Sequence, residues 1–414
     1  MITKLYLQNW KSFGEATLYI DPITIVIGAN ASGKSNLMDA FQFLHRLALG
    51  KQIQFAANGD NEIAALRGGS DWMVRKNMDS CLLELTVVNN DDEFRYTIEL
   101  TYSPAHTVEL RSEKLEKVIR AKNKELAPTV ESLFFYQKDD SPSMATYFFS
   151  DKPEPRRIDL NPNVSVLSQT DSLVLLSEIK EGCQAVLTHL RSIVILDPIP
   201  ANMRTYSKLS SVLLSDASNI AGVLAGMADP EKEALENDIT QYAGALPTQE
   251  LRKIWAEKVG VFQTDAMLFC REQWAENQQI DIDARGMSDG TLRLIAIVLA
   301  ILTAPEHSLL IIEDIDNGLH PSKAKHLVKT LKDLGAKRNI DILCTTHNPA
   351  LLDAFDLEML PFIAYVHRDL STGIGGIKQL DQLDNLISLM SQGSIGGILT
   401  RGLFEKSLND TRHE

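Results

Sequence analysis

The chain has 414 residues, enough for two or three domains or for one large domain with insertions. Hydrophobic residues make up 44% and charged residues 23%, which supports a sizeable packed core. A net charge of −14 excludes a protein that coats nucleic acid with its whole surface, although a local basic groove remains open.

The four cysteines, Cys81, Cys183, Cys270 and Cys344, are scattered and form no Cys-x-x-Cys pair. They read as buried thiols in a reducing compartment. Met1 to Leu5 carries no signal-peptide pattern, and the longest apolar run, Leu294 to Ala304, is too short to span a bilayer. The expectation is a soluble, cytoplasmic protein with no membrane contact.

Short strands are predicted at Ile2 to Leu7 and Ala16 to Ile20, followed by the apolar strand Ile23 to Ile27. Next comes Gly28-Ala29-Asn30-Ala31-Ser32-Gly33-Lys34-Ser35, then a helix with Leu37, Phe41, Leu44 and Ala48 on one face and a stop at Gly50. Strand, G-x-x-x-x-G-K-S and helix together make a phosphate-binding loop, in which successive N–H groups and the helix N-terminus surround an anion. Lys34 would reach the β- and γ-phosphates of a nucleotide, and the Ser35 hydroxyl would ligate Mg2+. Gly28, Asn30, Ser32, Gly33, Lys34, Ser35 and the following Asn36 are the candidate nucleotide-binding residues.

From 51 to 78 the pattern is weak, with Arg67-Gly68-Gly69-Ser70 marking a loop. From Cys81 to Phe149 the period switches to two, predicting an antiparallel sheet from Cys81–Val88, Phe94–Tyr102, Thr107–Leu115, Leu133–Gln137 and Thr146–Phe149. Within it, Lys114, Lys117, Arg120, Lys122 and Lys124 read first as a solvated edge and second as a DNA-contacting patch. Residues 170–280 read as mostly helical, with one strand at Ile193 to Leu196. Pro198, Pro200, Pro230 and Pro247 break that pattern and leave no room for the unbroken heptads of a coiled-coil arm.

Four further motifs follow. Ser288-Asp289-Gly290 opens an almost wholly apolar helix, Leu292 to Leu302, and a Ser and a Gly at a helix start form a phosphate-sized anion site as well as an ordinary N-cap turn. Leu309-Leu310-Ile311-Ile312-Glu313-Asp314 is a buried strand whose tip presents carboxylates, where an open α/β sheet binds ligands. Glu313 would hold Mg2+ and Asp314 would orient the attacking water. The tight loop Asp316 to Pro321 leads into a helix whose Lys323, Lys325, Lys329 and Lys332 read as its wet face. The strand Ile340 to Cys344 then runs into Thr345-Thr346-His347-Asn348-Pro349, which places His347 to touch a γ-phosphate.

In order and spacing these residues resemble the ABC-type ATPases of the RecF/SMC/OLD branch, and look most like the compact stand-alone AAA-family ATPases of bacterial phage-defence operons. The resemblance covers residues 1–50 and 280–360 well and the middle in outline. It implies an α/β fold, an ABC-ATPase head with a mixed sheet and P-loop core, interrupted by an antiparallel β subdomain and a short helical insertion. The expected segments are 1–78 (first part of the head), 79–165 (β subdomain), 166–279 (helical insertion) and 280–414 (remainder of the head and a docking tail).

By the same resemblance Ser288, Asp289 and Gly290 form the signature motif, acting in trans. Glu313 and Asp314 are the Walker B and catalytic carboxylates, with Lys34 and His347 completing the catalytic set. Asp316 and Asn317 belong to the D-loop, and His347 is the switch histidine. The implied cofactors are ATP and Mg2+. The implied assembly is a homodimer stacked head to tail, with Ser288 of one copy capping the γ-phosphate held by the other.

Two departures bear on mechanism. The catalytic position usually holds Glu, and Asp314 is shorter by one C–C bond, about 1.5 Å; slow turnover is expected. No Cys-x-x-Cys hook or long arm is present, which argues against chromosome tethering. No metal-cutting acid cluster is seen after His347, so a separately encoded effector, a nuclease or toxin, is the expected partner of a sensor or clamp in anti-phage defence. The alternatives are a RecF-like DNA-binding repair clamp and an ATP-dependent assembly scaffold with negligible hydrolysis.

Overall fold

The computed structural model describes residues 1–103, 107–120, 128–139, 144–149, 154–244, 251–275, 278–369, 371–383 and 385–410. At its centre lies a six-stranded sheet in the spatial order Val194–Leu196, Leu309–Ile312, Asp341–Thr346, Ile23–Ile27, Ile363–Arg368, Gly375–Gln379. The first five strands are parallel and the last is antiparallel. Leu309–Ile312 and Asp341–Thr346 are buried at every position, as parallel strands covered on both faces must be. Side chains alternate between the two faces. Ile25 and Ile27 enter one core with Leu310, Ile312, Ile342 and Cys344, while Val26, Ile311 and Leu343 enter the other. The first core is roofed by the helix Asp289–Thr303, which is buried continuously from Gly290 to Ile301 as its apolar sequence requires.

The second core lies between the central sheet and an eight-stranded antiparallel sheet. That sheet contains the expected strands, observed as Ser80–Asn89, Asp92–Tyr102, Val108–Ile119, Thr129–Gln137 and Met144–Phe148, together with Arg156–Leu160. It also takes in the N-terminal strands Ile2–Gln8 and Glu15–Tyr19, with Leu5 opposite Leu85. Glu113, wholly buried, ties this sheet to the next segment by accepting from the Val166 and Leu167 N–H groups, Ser165 Oγ and Tyr96 OH at 2.7–2.9 Å. The basic run on this sheet is neutralised: Lys114 meets Glu116, Lys117 meets Asp92 and Arg120 meets Glu93. Lys114 and Lys117 lie on Val108–Ile119, which is paired on both sides, so the expected edge is an interior strand; Lys122 and Lys124 fall outside the described residues.

The insertion is helical only in its first part, through Ser177–Arg191, Ile220–Gly226 and Asp229–Gly244. Beyond it the helical expectation fails. Leu251–Val259, Asp265–Ala275 and Gln278–Asp283 form an antiparallel sheet joined by Ser207–Lys208. Helix-forming residues such as Lys253, Glu257 and Lys258 masked an alternation that buries Ile254 and Ala256. The ladder to Asp265–Ala275 and packing against the helix Asp229–Gly244 hold the extended form: Glu236 Oε1 and Thr240 Oγ1 accept the edge-strand N–H groups of Ala256 and Ile254, each at 2.9 Å. An edge covered in this way is protected from pairing with another chain. Pro247 lies outside the described residues. The longest described helix has 16 residues, so none is long enough for an arm. No described helix is long and apolar enough to cross a membrane.

The tail folds back on its own head. Asp353 accepts from the Gly396 N–H at 2.8 Å and Ser394 Oγ at 3.0 Å, capping the helix Ile395–Thr400. Phe404 is fully buried against Tyr365 on the central sheet.

Candidate functional site

Between the strand Ile23–Ile27 and the helix Lys34–Ala48 the backbone turns through residues that tolerate few side chains. Gly33 has φ 119°, and a Cβ there would come within 2.9 Å of Ser12 Oγ. A Cβ on Gly28 would lie 2.3 Å from the Val366 carbonyl. Lys34 folds back over the loop, donating to the carbonyls of Gly28 at 2.8 Å and Ala29 at 3.0 Å. Burial lowers its pKa and nearby Asp314 works against that shift. Ser32 Oγ is buried inside the loop without a partner. Asn30 is exposed, and Asn36 is turned aside, its side chain donating to Ser12 Oγ at 2.9 Å.

The acidic strand tip is held from both sides. The Glu313 N–H donates to the Leu196 carbonyl at 3.0 Å, and the Asp314 N–H donates to Thr345 Oγ1 at 2.8 Å. Asp314 has φ 41°, a left-handed conformation that short polar residues accept most readily. Its carboxylate lies 3.5 Å from His347 Nδ1, both side chains being about half exposed (45% and 50%). Glu313 is much less exposed, and burial pushes its carboxyl up while Arg67 pulls it down. Asp316 is buried and accepts from Thr346 Oγ1 at 2.6 Å, while the Asn317 N–H closes a turn onto the Asp314 carbonyl. Thus Lys34, Glu313, Asp314 and His347 gather where the parallel strands end, with Ser35 on the same rim.

Ser288, Asp289 and Gly290 form a separate group. Ser288 Oγ accepts from the Thr291 N–H at 3.1 Å and so caps its own helix. Asp289 pairs with Arg204, which also donates to the carbonyls of Ala284 and Met287 at 2.9 and 2.7 Å. Gly290 sits so tightly on the turn after Asp316 that a Cβ would be 2.6 Å from the Gly318 carbonyl. Ser288 and Asp289 are exposed.

Several residues at the site carried no sequence signal of their own. Arg67 makes a two-pronged ion pair with Glu313. Lys11 and Asp39 form a buried ion pair at 2.5 Å, with side chains 4% and 3% exposed. Asp39 stands one helical turn beyond Ser35, so an acid on the core-facing side of the P-loop helix was the available hint. Asp197, just past the strand beside Glu313, feels the charges of Arg293, Arg67 and Asp314, and burial pushes its carboxyl up. A cavity of about 500 Å3 opens beside the loop, with Lys11, Ser12, Ala31, Asn36, Arg67 and Trp72 on its wall.

These residues fit a nucleotide carrying magnesium. The unpartnered Ser32 hydroxyl, the loop N–H groups and the Lys34 ammonium match phosphate oxygens. Among the described residues no cluster of three or more His, Cys, Asp and Glu is placed to hold a metal alone. Magnesium would therefore sit between Glu313, the Ser35 hydroxyl and the phosphates, the mixed coordination this ion favours.

The structure of an SMC head agrees with the fold. An SMC head bound to the C-winged helix domain of ScpA is 16% identical, with a TM-score of 0.51, over 91% of this chain and 96% of that one. An SMC head with an extended coiled coil, bound to the C-terminal domain of ScpA and derived from Pyrococcus furiosus, is 12% identical with a TM-score of 0.49, over 94% and 99%. No curated protein matches the chain. The family described as AAA ATPase domain matches residues 1–352, and the chain, which carries the fold of an SMC head, belongs to that family.

Proposed function

We infer that the protein binds Mg·ATP at Gly28–Ser35, closes into a head-to-tail homodimer around it, and hydrolyses it slowly to reset the assembly. The observation that carries this reading is the meeting of Asp314 and His347 at 3.5 Å beside Lys34. The Asp314 carboxylate is positioned to accept a proton from an attacking water, and His347 to donate towards a terminal phosphate oxygen. Bound magnesium would supply charge neutralisation of the phosphates. The Ser288 helix N-terminus is exposed and can meet an anion held by a second copy, where a desolvated interface would strengthen the interaction. Hydrolysis assays on wild type, Lys34→Ala and Asp314→Asn test the reading: both variants should lose turnover, with Asp314→Asn retaining ATP.

The finer role, control of a separately encoded nuclease or toxin in anti-phage defence, rests on the sequence resemblance. Purification of the protein from native cells should bring the product of a neighbouring gene with it, in an ATP-dependent manner.

A second reading, a RecF-like DNA clamp, is favoured by one feature. Arg75, Lys76 and Arg368 line the cavity beside the P-loop and are hydrogen-bonded to the uncharged groups Asn9 Oδ1 and the carbonyls of Asp71 and Gly373. DNA-stimulated hydrolysis that falls steeply with salt would support the clamp.

A further inference from the structure

The carboxylate expected to hold the metal already carries a cation. Nη1 and Nη2 of Arg67 stand 3.0 and 2.6 Å from the two oxygens of Glu313. Nη1 also reaches Asp39 Oδ1 at 3.1 Å and the Ser35 carbonyl at 3.2 Å. Two-pronged guanidinium–carboxylate pairs are strong and directional. One positive group therefore touches the strand-tip acid, the P-loop serine and a buried acid one turn further along the helix. A magnesium ion between Glu313 and the Ser35 hydroxyl would need this same neighbourhood.

We propose that Arg67 is a resident counter-cation that guards Glu313 until magnesium arrives, so that metal binding and departure of the Arg67 side chain are one coupled event. The proposal rests on the Mg·ATP reading of the site. A divalent ion and a guanidinium cannot both contact Glu313 without strong mutual repulsion. The guanidinium also occupies both carboxylate oxygens, leaving few lone pairs for a metal.

The surroundings allow the exchange. Arg67 is 49% exposed, against 13% for Glu313 and 3% for Asp39, so the guanidinium has water to swing into. Its departure leaves no orphaned acid, because Asp39 keeps Lys11 at 2.5 Å. The backbone stays anchored: the Arg67 carbonyl accepts from Lys11 Nζ at 2.7 Å, and the Leu66 N–H donates to the Ala57 carbonyl at 2.8 Å. Only the side chain has to move. The phosphates of ATP add the negative charge that tips the balance towards the divalent ion, so metal would bind well only together with nucleotide.

Mn2+ is the probe, with the free ion counted by electron paramagnetic resonance in the absence of nucleotide. Arg67→Ala should bind Mn2+ about tenfold or more tightly than wild type, and adding Glu313→Gln should remove the gain. Arg67→Gln, which keeps a neutral side chain of similar reach, should behave like Arg67→Ala and covers the case in which the alanine variant folds poorly. Mn2+ affinity in both variants equal to or below that of wild type would overturn the proposal. ATP titrated in EDTA reports on the P-loop separately. Normal ATP binding with unchanged Mn2+ affinity overturns the guard alone, whereas absence of ATP binding in wild type overturns the site reading beneath it.

Discussion

Asp314 and His347 face each other across 3.5 Å, the carboxylate at the tip of the strand Leu309–Ile312 and the imidazole just past the neighbouring strand Asp341–Thr346. Parallel pairing of Ile312 with Cys344 sets this meeting, and the Asp314 N–H bonded to Thr345 Oγ1 fixes it. Lengthening the acid by one carbon should bring it closer to the attacking water. Asp314→Glu is expected to hydrolyse ATP faster than wild type, and Asp314→Asn to lose about 100-fold or more, the usual weight of a general base. A slower Glu variant in a phosphate-release assay would count against the short reach of Asp314 as the cause of slow turnover.

The buried Lys11–Asp39 pair supports the turn that leans on the P-loop. Asp39→Asn leaves the Lys11 ammonium buried with its charge uncompensated, and should destabilise the fold by about 3–5 kcal/mol in urea unfolding. A loss within experimental error would mean that the Arg67 carbonyl and solvent suffice to hold the Lys11 ammonium.

How much of this was legible beforehand follows from chain distance. The P-loop, the Ser288 helix start and the Glu313–Asp314 strand tip each lie within a few consecutive residues at a strand–loop–helix junction, so local pattern was enough to find them. Arg67 and Glu313 are 246 residues apart, and no local pattern joins them. Asp197 gains meaning only once the strand Val194–Leu196 is seen to lie beside Leu309–Ile312. The sheet over 251–283 was hidden for another reason. Its edge strand carries several helix-forming residues, and pairing with Asp265–Ala275, together with Glu236 and Thr240 on a neighbouring helix, makes the extended form preferable.

The start of the helix Asp289–Thr303 and the turn at Gly318 are packed backbone to backbone. Gly290→Ala places a Cβ 2.6 Å from the Gly318 carbonyl and should cost about 1–3 kcal/mol of stability. An unchanged denaturation midpoint would show that the turn at Gly318 yields freely.

Asp341, at the opposite end of the sheet, gives the fold a pH dependence. Burial pushes its carboxyl up to about 6 from an ordinary 3.8, with the Met1 amine and His307 opposing and Asp21 reinforcing the shift. Folding therefore favours the protonated acid. That stabilisation is complete below pH 3.8 and has gone once the pH rises past 6. Asp341→Asn should thus gain up to about 2–3 kcal/mol over wild type at pH 8 and little at pH 3.5, read from melts at the two pH values. A larger gain at the acid end would contradict the direction.

The central claim is that two copies close on nucleotide through Ser288. Light scattering on the Asp314→Asn protein with Mg·ATP tests it most directly. The mass should double when ATP is added and stay that of one chain in Asp314→Asn/Ser288→Arg, which should still bind ATP by calorimetry. A mass that does not respond to ATP, or that doubles equally with Ser288→Arg, would contradict the account.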